Sequence, residues 1–496
     1  MWTRLNELPF KIVNHQTIII DNLIYIIGGC KDKNDEIYTK ISVFCLSRGS
    51  ICTNLSSCLT YSWDCNTDGI VNLLDDSNKP FDRYGHTVVK WKKIGILFGG
   101  FPNSSLTASS SSSEIYLFVP NIECLPNQLK VLNNSINSNF WVLVDGVRGS
   151  IPEKRDGHSA DIYYDVMFLF GGLTSTGARY FDNKLYQLDL ITWQWTIIYN
   201  GDYVEPLGRD FCTLTTCKNS LYLFGGRSDD RFNGLTFNRD IYDTAVWKFD
   251  LVANKDNRWI KIHPGYGLVV SSSYHTSSYS SILPNCLKYP FPRRSHMTMV
   301  IRDELFIFGG LYQINSYCMH LGDLWSFNVM TYQWTMSSPR KRMGPDYVWP
   351  PGLRKGSLTA VNDNCGLLIG GVIIYDENSD NLHGKILGNC VVISNNCIKK
   401  NVSSLFDFCY LNAIAPVPKI LYHETKNEFI GSISFNNALG IESINKMFIL
   451  KQQMSLYQKS LEVVINTYSL NQLESYIIPK KLTSDIETQI MYEKIN

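Results

Sequence analysis

Five arginines and four histidines fall at fixed distances from pairs of glycines, and their chemistry suits recognition. Arg83, Arg155, Arg209, Arg293 and Arg354 each lie 16 positions before the first glycine of a Gly-Gly pair, and Ile12 holds that place in the first copy. A planar guanidinium pairs in bidentate fashion with carboxylate or phosphate. Five of them on one circle would form a basic rim that captures an acidic or phosphorylated peptide. The same groups have an internal use, in which each arginine ties its unit together through carbonyls or a carboxylate. Strict repetition favours that internal use, because partner sites are usually asymmetric. Both readings stay open on the sequence.

His15, His86, His158 and His296 stand 13 positions before the same glycines, with Cys212 and Ser357 at the equivalent places. Imidazoles ligate zinc, but tetrahedral zinc needs its ligands about 2.1 Å from one ion. Side chains on separate repeats do not converge that closely, and Cys or Ser at the same place points to hydrogen bonding or packing. No metal and no cofactor are expected.

The elements that position these residues are repeats. Apolar runs end in glycine pairs at Gly29, Gly100, Gly172, Gly226, Gly310 and Gly371, and a proline lies 19 positions before each first glycine: Pro9, Pro80, Pro152, Pro206, Pro290 and Pro351. Between the His/Cys/Ser place and the glycines sit two apolar runs split by turn residues such as Tyr164-Asp165 and Arg302-Asp303-Glu304. That is a β-hairpin pattern. Paired glycines at a strand end allow a positive φ and close backbone approach. An aromatic strand and then a tryptophan follow, as in Tyr116 and Trp141, Tyr186 and Trp195, Trp247 and Trp259, Trp325 and Trp334, and Phe44 and Trp63. Each unit is therefore four short strands, with large aromatics to fill the space between adjacent sheets. A ring of such sheets buries both faces of each and protects the edges.

At these residues the sequence resembles the kelch repeat, in the style of host cell factor and the Rab9-effector kelch protein. The resemblance covers residues 2 to about 395 and implies a β-propeller with a partner-binding role. The expected fold is all-β, a single kelch propeller over residues 1–496. Met1-Trp2-Thr3-Arg4 resembles the outer fourth strands at Trp195-Thr196 and Trp334-Thr335, so the N-terminal strand is expected to complete the last blade and lock the ring. Six repeats are clear. Residues 400–496 are expected to form a degenerate seventh blade around Lys446-Met447-Phe448-Ile449-Leu450, the alternative being six blades with a C-terminal extension.

Composition bounds the function. The chain has 496 residues, 44% of them hydrophobic and 18% charged, which is globular. A net charge of +1 gives no global pull toward nucleic acid or anionic membrane. No run reaches the ~18 apolar residues of a membrane helix, and the polar N-terminus does not read as a secretory signal. The 14 scattered cysteines then read as reduced thiols in a cytoplasmic protein. The serine-rich stretches 103–113 and 271–281 read as tolerated loop insertions, and the charged clusters 227–231 and 339–342 as solvated surface. Sialidase-type, iron-specifier, P-loop and nucleophile-elbow motifs are absent, and with repeats starting at Trp2 no preceding ligase-adaptor module is expected. The expectation is a monomeric, non-catalytic scaffold or adaptor that binds a protein at one mouth. The alternative is an enzyme with a dispersed site at the channel mouth.

Overall fold

The computed structural model describes residues 2–4, 12–20, 23–29, 41–45, 70–71, 80, 83–102, 113–120, 141–175, 180–201, 205–229, 240–252, 258–270, 289–314, 317–337, 350, 352–363, 365–376, 420–423, 428–431, 439–443 and 447–451. The serine-rich stretches apart from Ser113, the run 339–342 and residues 452–496 of the expected seventh blade lie outside these. The chain divides into two compact units, Trp2–Leu450 and a second made of Met1 with Lys451–Asn496. Apart from Lys451, the sheets below belong to the first.

Every described regular element is a β-strand. Among the described residues, six antiparallel sheets are built on the repeat. Their innermost strands are β1 (Gln16–Ile20), β2 (Thr87–Trp91), β3 (Arg155–Tyr163), β4 (Thr213–Cys217), β5 (Met297–Ile301) and β6 (Ser357–Asn362). In the second to fifth sheets a two-residue turn leads each into its partner, its first residue left-handed: Lys92 (φ 54°), Tyr164 (52°), Lys218 (52°) and Arg302 (56°). Positive φ at that place matches the twist of a tight hairpin. The second strands lead into the glycine pairs, in the third sheet running on through them to Thr174, and the third strands carry the expected aromatics: Phe44, Tyr116, Tyr186, Trp247 and Trp325. Trp141, Trp195 and Trp334 lie in fourth strands, and the third sheet gains a parallel fifth strand, Arg148–Gly149.

Adjacent sheets pack through these aromatics. At three of these joints the phenylalanine before the glycine pair meets the outer tryptophan of the next sheet: Phe98 and Trp195 at 5.4 Å, Phe170 and Trp259, just before its fourth strand, at 5.6 Å, and Phe224 and Trp334 at 5.1 Å between ring centroids. Each inner strand also touches the next, from β1 through β6, and β6 touches β1.

The last sheet differs from expectation in two ways. Met447–Lys451, expected in a seventh unit, pairs instead into the sixth sheet beside Cys365–Ile369, and Trp2–Arg4 pairs with its other edge. The preceding segment is an excursion between second and third strands, in which Val372–Asp376 pairs with Leu439–Ser443. A hairpin, Ile420–His423 with Glu428–Gly431, sits within it. The long insertion had moved the third strand to where a further repeat would fall.

The second difference is one of register. In β6 the pairing slips between Ala360 and Asn362, a bulge that adds one residue to the strand. Ser357 therefore pairs with Ile369 where Ser159 pairs with Phe170 and Met297 with Phe308. Counting back from the glycines falls one short in this repeat. Leu353, not Arg354, takes the place of the other arginines, and Gly356 takes that of the histidines.

Candidate functional site

The conserved spacing of the arginines reflects an internal ion pair. Arg83, Arg155, Arg209 and Arg293 are buried at 0–1% exposure. Each sends Nη1 to the carbonyl of the first glycine of its own pair, Gly99, Gly171, Gly225 or Gly309, at 2.8–3.2 Å. Three also hold a buried aspartate: Arg155 with Asp182 (2.8 Å), Arg209 with Asp243 (2.9 Å), and Arg293 with both oxygens of Asp323 (2.8 and 2.7 Å). Nε donates to the carbonyl two residues back, from Glu153, Leu207 or Phe291. Arg83 lies over the Tyr116 ring. A rim that captures a peptide needs accessible guanidiniums, so these four do not form one. They pin the start of each inner strand to the loop before the third strand. The aspartates escaped the sequence reading because their distance to the third-strand aromatic varies, from four residues before Tyr186 and Trp247 to two before Trp325.

Three of the histidines latch one sheet to the next. His158 Nε2 lies 2.9 Å from Thr87 Oγ1, His296 Nε2 lies 2.9 Å from Thr213 Oγ1, and His15 Nε2 lies 3.0 Å from Ser357 Oγ. The last of these joins the sixth sheet to the first. Burial lowers His15, His86 and His296 to about 3 and His158 well below its usual value, so all four are neutral near pH 7. Each imidazole packs on the first glycine of the preceding sheet. At Gly225 (φ +65°) a Cβ would sit 2.5 Å from His296 Cε1 and 2.8 Å from the Arg293 oxygen.

The inner strands enclose a cavity of about 520 Å³. At the end where these strands begin, Asn14, Gly85, Gly157, Phe211, Ser295 and Lys355 are all left-handed, with φ of 49–68°. Five of them donate their N–H to the equivalent carbonyl of the preceding strand, for example Phe211 to Gly157, Ser295 to Phe211 and Lys355 to Ser295. The residue before each stands next to this end without lining the cavity itself. Asp156 and Asp210 are buried, whereas Arg294, Arg354 and Lys355 are half-buried. Arg227 grips Asp210 with Nη2 at 2.6 Å and Nε at 3.2 Å. Its side chain stays 24% exposed. Burial raises the Asp210 carboxyl, and the charges of Arg227 and Arg294 oppose that. Asp210 is thus withdrawn and paired, and among the described residues the half-buried Arg294, Arg354 and Lys355 lie on the side of the fifth and sixth sheets. Of the five arginines singled out by spacing, only Arg354 belongs to this sector, and the bulge in β6 put it there. Arg294 and Lys355 carried no sequence signal.

Comparison with known proteins agrees with this architecture. A family model, the KLHDC2/KLHL20/DRC7 Kelch-repeats domain, matches residues 85–371. Kelch domain-containing protein 3 of Homo sapiens is 26% identical over 348 residues, covering 69% of this chain and 75% of that protein. The Bos taurus protein of the same name is 27% identical over 347 residues with the same coverage. Host cell factor 1 of Homo sapiens is 26% identical over 275 residues, 52% of this chain but 11% of its own length. The chain belongs to the KLHDC2/KLHL20/DRC7 kelch-repeat family.

Proposed function

We propose that this chain is a non-catalytic scaffold or adaptor that binds an acidic segment of a protein partner at the mouth where the inner strands begin. The observation that carries this is the cationic sector of Arg294, Arg354 and Lys355. Arg294 and Arg354 flank the hydrogen bond from Lys355 N–H to the Ser295 carbonyl, so neighbouring strands bring the two guanidiniums to one side of the opening. Guanidiniums half-removed from water pair with carboxylates more strongly than fully solvated ones. We also read the six sheets as six blades of one ring, with Trp2–Arg4 supplying the outer strand of the sixth. Support comes from the cyclic succession of inner-strand contacts and from the His15–Ser357 and Thr17–Ser357 bonds (3.0 and 2.6 Å) between first and sixth sheets.

The test is affinity capture with quantitative mass spectrometry on tagged wild type and an Arg294→Glu, Arg354→Glu variant, with a melting curve for each. The expected result is loss of a partner bearing an acidic segment, at an unchanged melting temperature. A folded variant that keeps every partner would refute the assignment.

A further inference from the structure

Two backbone links recur where neighbouring sheets meet. In one, the N–H of the second glycine of a pair donates to the carbonyl at the arginine place of the next sheet: Gly100 to Arg155, Gly172 to Arg209, Gly226 to Arg293, Gly310 to Leu353 and Gly371 to Ile12, at 2.8–2.9 Å. In the other, the N–H of the left-handed residue at the start of an inner strand donates to its equivalent in the preceding sheet: Gly157 to Gly85, Phe211 to Gly157, Ser295 to Phe211, Lys355 to Ser295 and Asn14 to Lys355, at 2.6–3.0 Å. Five of the six joints carry both links. The joint between the first and second sheets carries neither: among the described residues, Gly29 N–H makes no bond to Arg83 and Gly85 N–H none to Asn14. Its side-chain latch is missing too. Gln16 stands where Thr87, Thr213 and Ser357 offer a hydroxyl to an imidazole, so among the described residues no hydroxyl meets His86 Nε2.

We infer that this joint is a lateral gate, the seam at which the first sheet parts from the second and gives side access to the 520 Å³ cavity. Apolar contact holds it shut. Ile18 and Ile27 of the first sheet pack with Val88, Leu97 and Trp141 of the second, and the Tyr25 ring meets Phe118 edge-on at 5.1 Å. Such contact is non-directional and tolerates displacements that break a hydrogen bond. On its other side the first sheet is tied four times to the sixth: Asn14 N–H to Lys355, Gly371 N–H to Ile12, and His15 and Thr17 to Ser357. A movement that parts the first sheet from the second therefore leaves it on the sixth. Both walls of the joint line the cavity, residues 14–19 on one side and 85–90 on the other.

The joint between the fourth and fifth sheets has all three bonds and serves as the reference. One hydrogen bond of this kind shifts an opening equilibrium about fivefold. Three missing bonds then favour opening between the first and second sheets about 100-fold over the reference. Of the three, only the latch depends on a side chain, so position 16 is where the gate can be closed by substitution.

Leu97→Cys and Ile307→Cys put a thiol at equivalent places, 1% and 2% exposed, in the joints before the second and fifth sheets. The full chain is labelled with a thiol reagent without denaturant, and mass spectrometry of the peptide carrying each thiol gives its rate. Labelling should be about 100-fold faster at 97 than at 307. Adding Gln16→Thr restores a hydroxyl for His86 and should slow labelling at 97 about fivefold while leaving 307 unchanged. Equal rates at the two places would overturn the gate. So would a Gln16→Thr that slows neither, or one that slows both equally, since that reports global unfolding rather than the parting of one joint. Should Leu97→Cys not fold, Val88→Cys, 7% exposed and packed in the same cluster, carries the same comparison.

Discussion

Replacing Arg293 by methionine separates the internal role of the arginines from a recognition role. Arg293 donates four hydrogen bonds, to the Phe291 and Gly309 carbonyls at 3.0 Å and to the two Asp323 oxygens at 2.8 and 2.7 Å. Methionine fills much of the space and supplies none of them. Asp323, 2% exposed, keeps the Trp325 indole N–H at 2.7 Å and loses its countercharge. Leaving one member of a buried pair uncompensated costs about 3–5 kcal/mol, and two stranded carbonyls push toward the upper end. The expected loss is about 4 kcal/mol, which lowers a urea midpoint by more than about 1 M. Urea unfolding followed by tryptophan fluorescence measures it. Arg293→Met with Asp323→Leu should recover most of the loss, because removing both partners costs far less than removing one. Arg354→Met, on a half-buried side chain outside this pairing, should cost less than about 1 kcal/mol. An Arg293→Met protein of wild-type stability that loses an acidic partner would refute the internal reading and restore the rim.

Two further outcomes follow from the latches. His15, His86 and His296 bind protons near 6.5 when unfolded but only near 3 when folded. Their contribution is complete above pH 6.5 and is lost as pH falls from there toward 3. Unfolding at pH 5 should take up protons, and His296→Gln should reduce the uptake by about one, as read from the slope of stability against pH. Gly225→Ala should destabilise by about 3 kcal/mol or more in urea unfolding. Its φ of +65° and the contacts at 2.5 and 2.8 Å each oppose a Cβ. A change below about 1 kcal/mol would mean that the seam between fourth and fifth sheets is loosely packed.

Most of the sheet architecture was legible because it depends on residues that recur at fixed spacing. The glycine pairs, the third-strand aromatics and the outer tryptophans each answer a packing need repeated in every sheet. The site was much less legible. An arginine written four times in register looks the same whether it faces solvent or an aspartate, and only the burial of Asp182, Asp243 and Asp323 decides between them. The bulge at Ala360–Asn362 carries no residue signature, yet it moves Arg354 out of the buried set and into the mouth. The strand Met447–Lys451 was recognisable as a strand, but the excursion before it hid which sheet it would join. Repetition reports what sheets share, and a binding surface is made where they differ.

The pairing of Trp2–Arg4 with Met447–Lys451 has a consequence for biosynthesis. At about 5–20 residues per second on the ribosome, the first of these strands waits on the order of 20–90 s for the second to emerge. Sheets two to five draw on neighbouring sequence and can assemble during that interval, but the sixth cannot. Until then the outer edge of Cys365–Ile369 is an open template for any strand that reaches it. A ribosome that stalls after Ile369, or a lesion that removes Met447–Lys451, therefore leaves a nearly finished molecule that is prone to recruit its own copies.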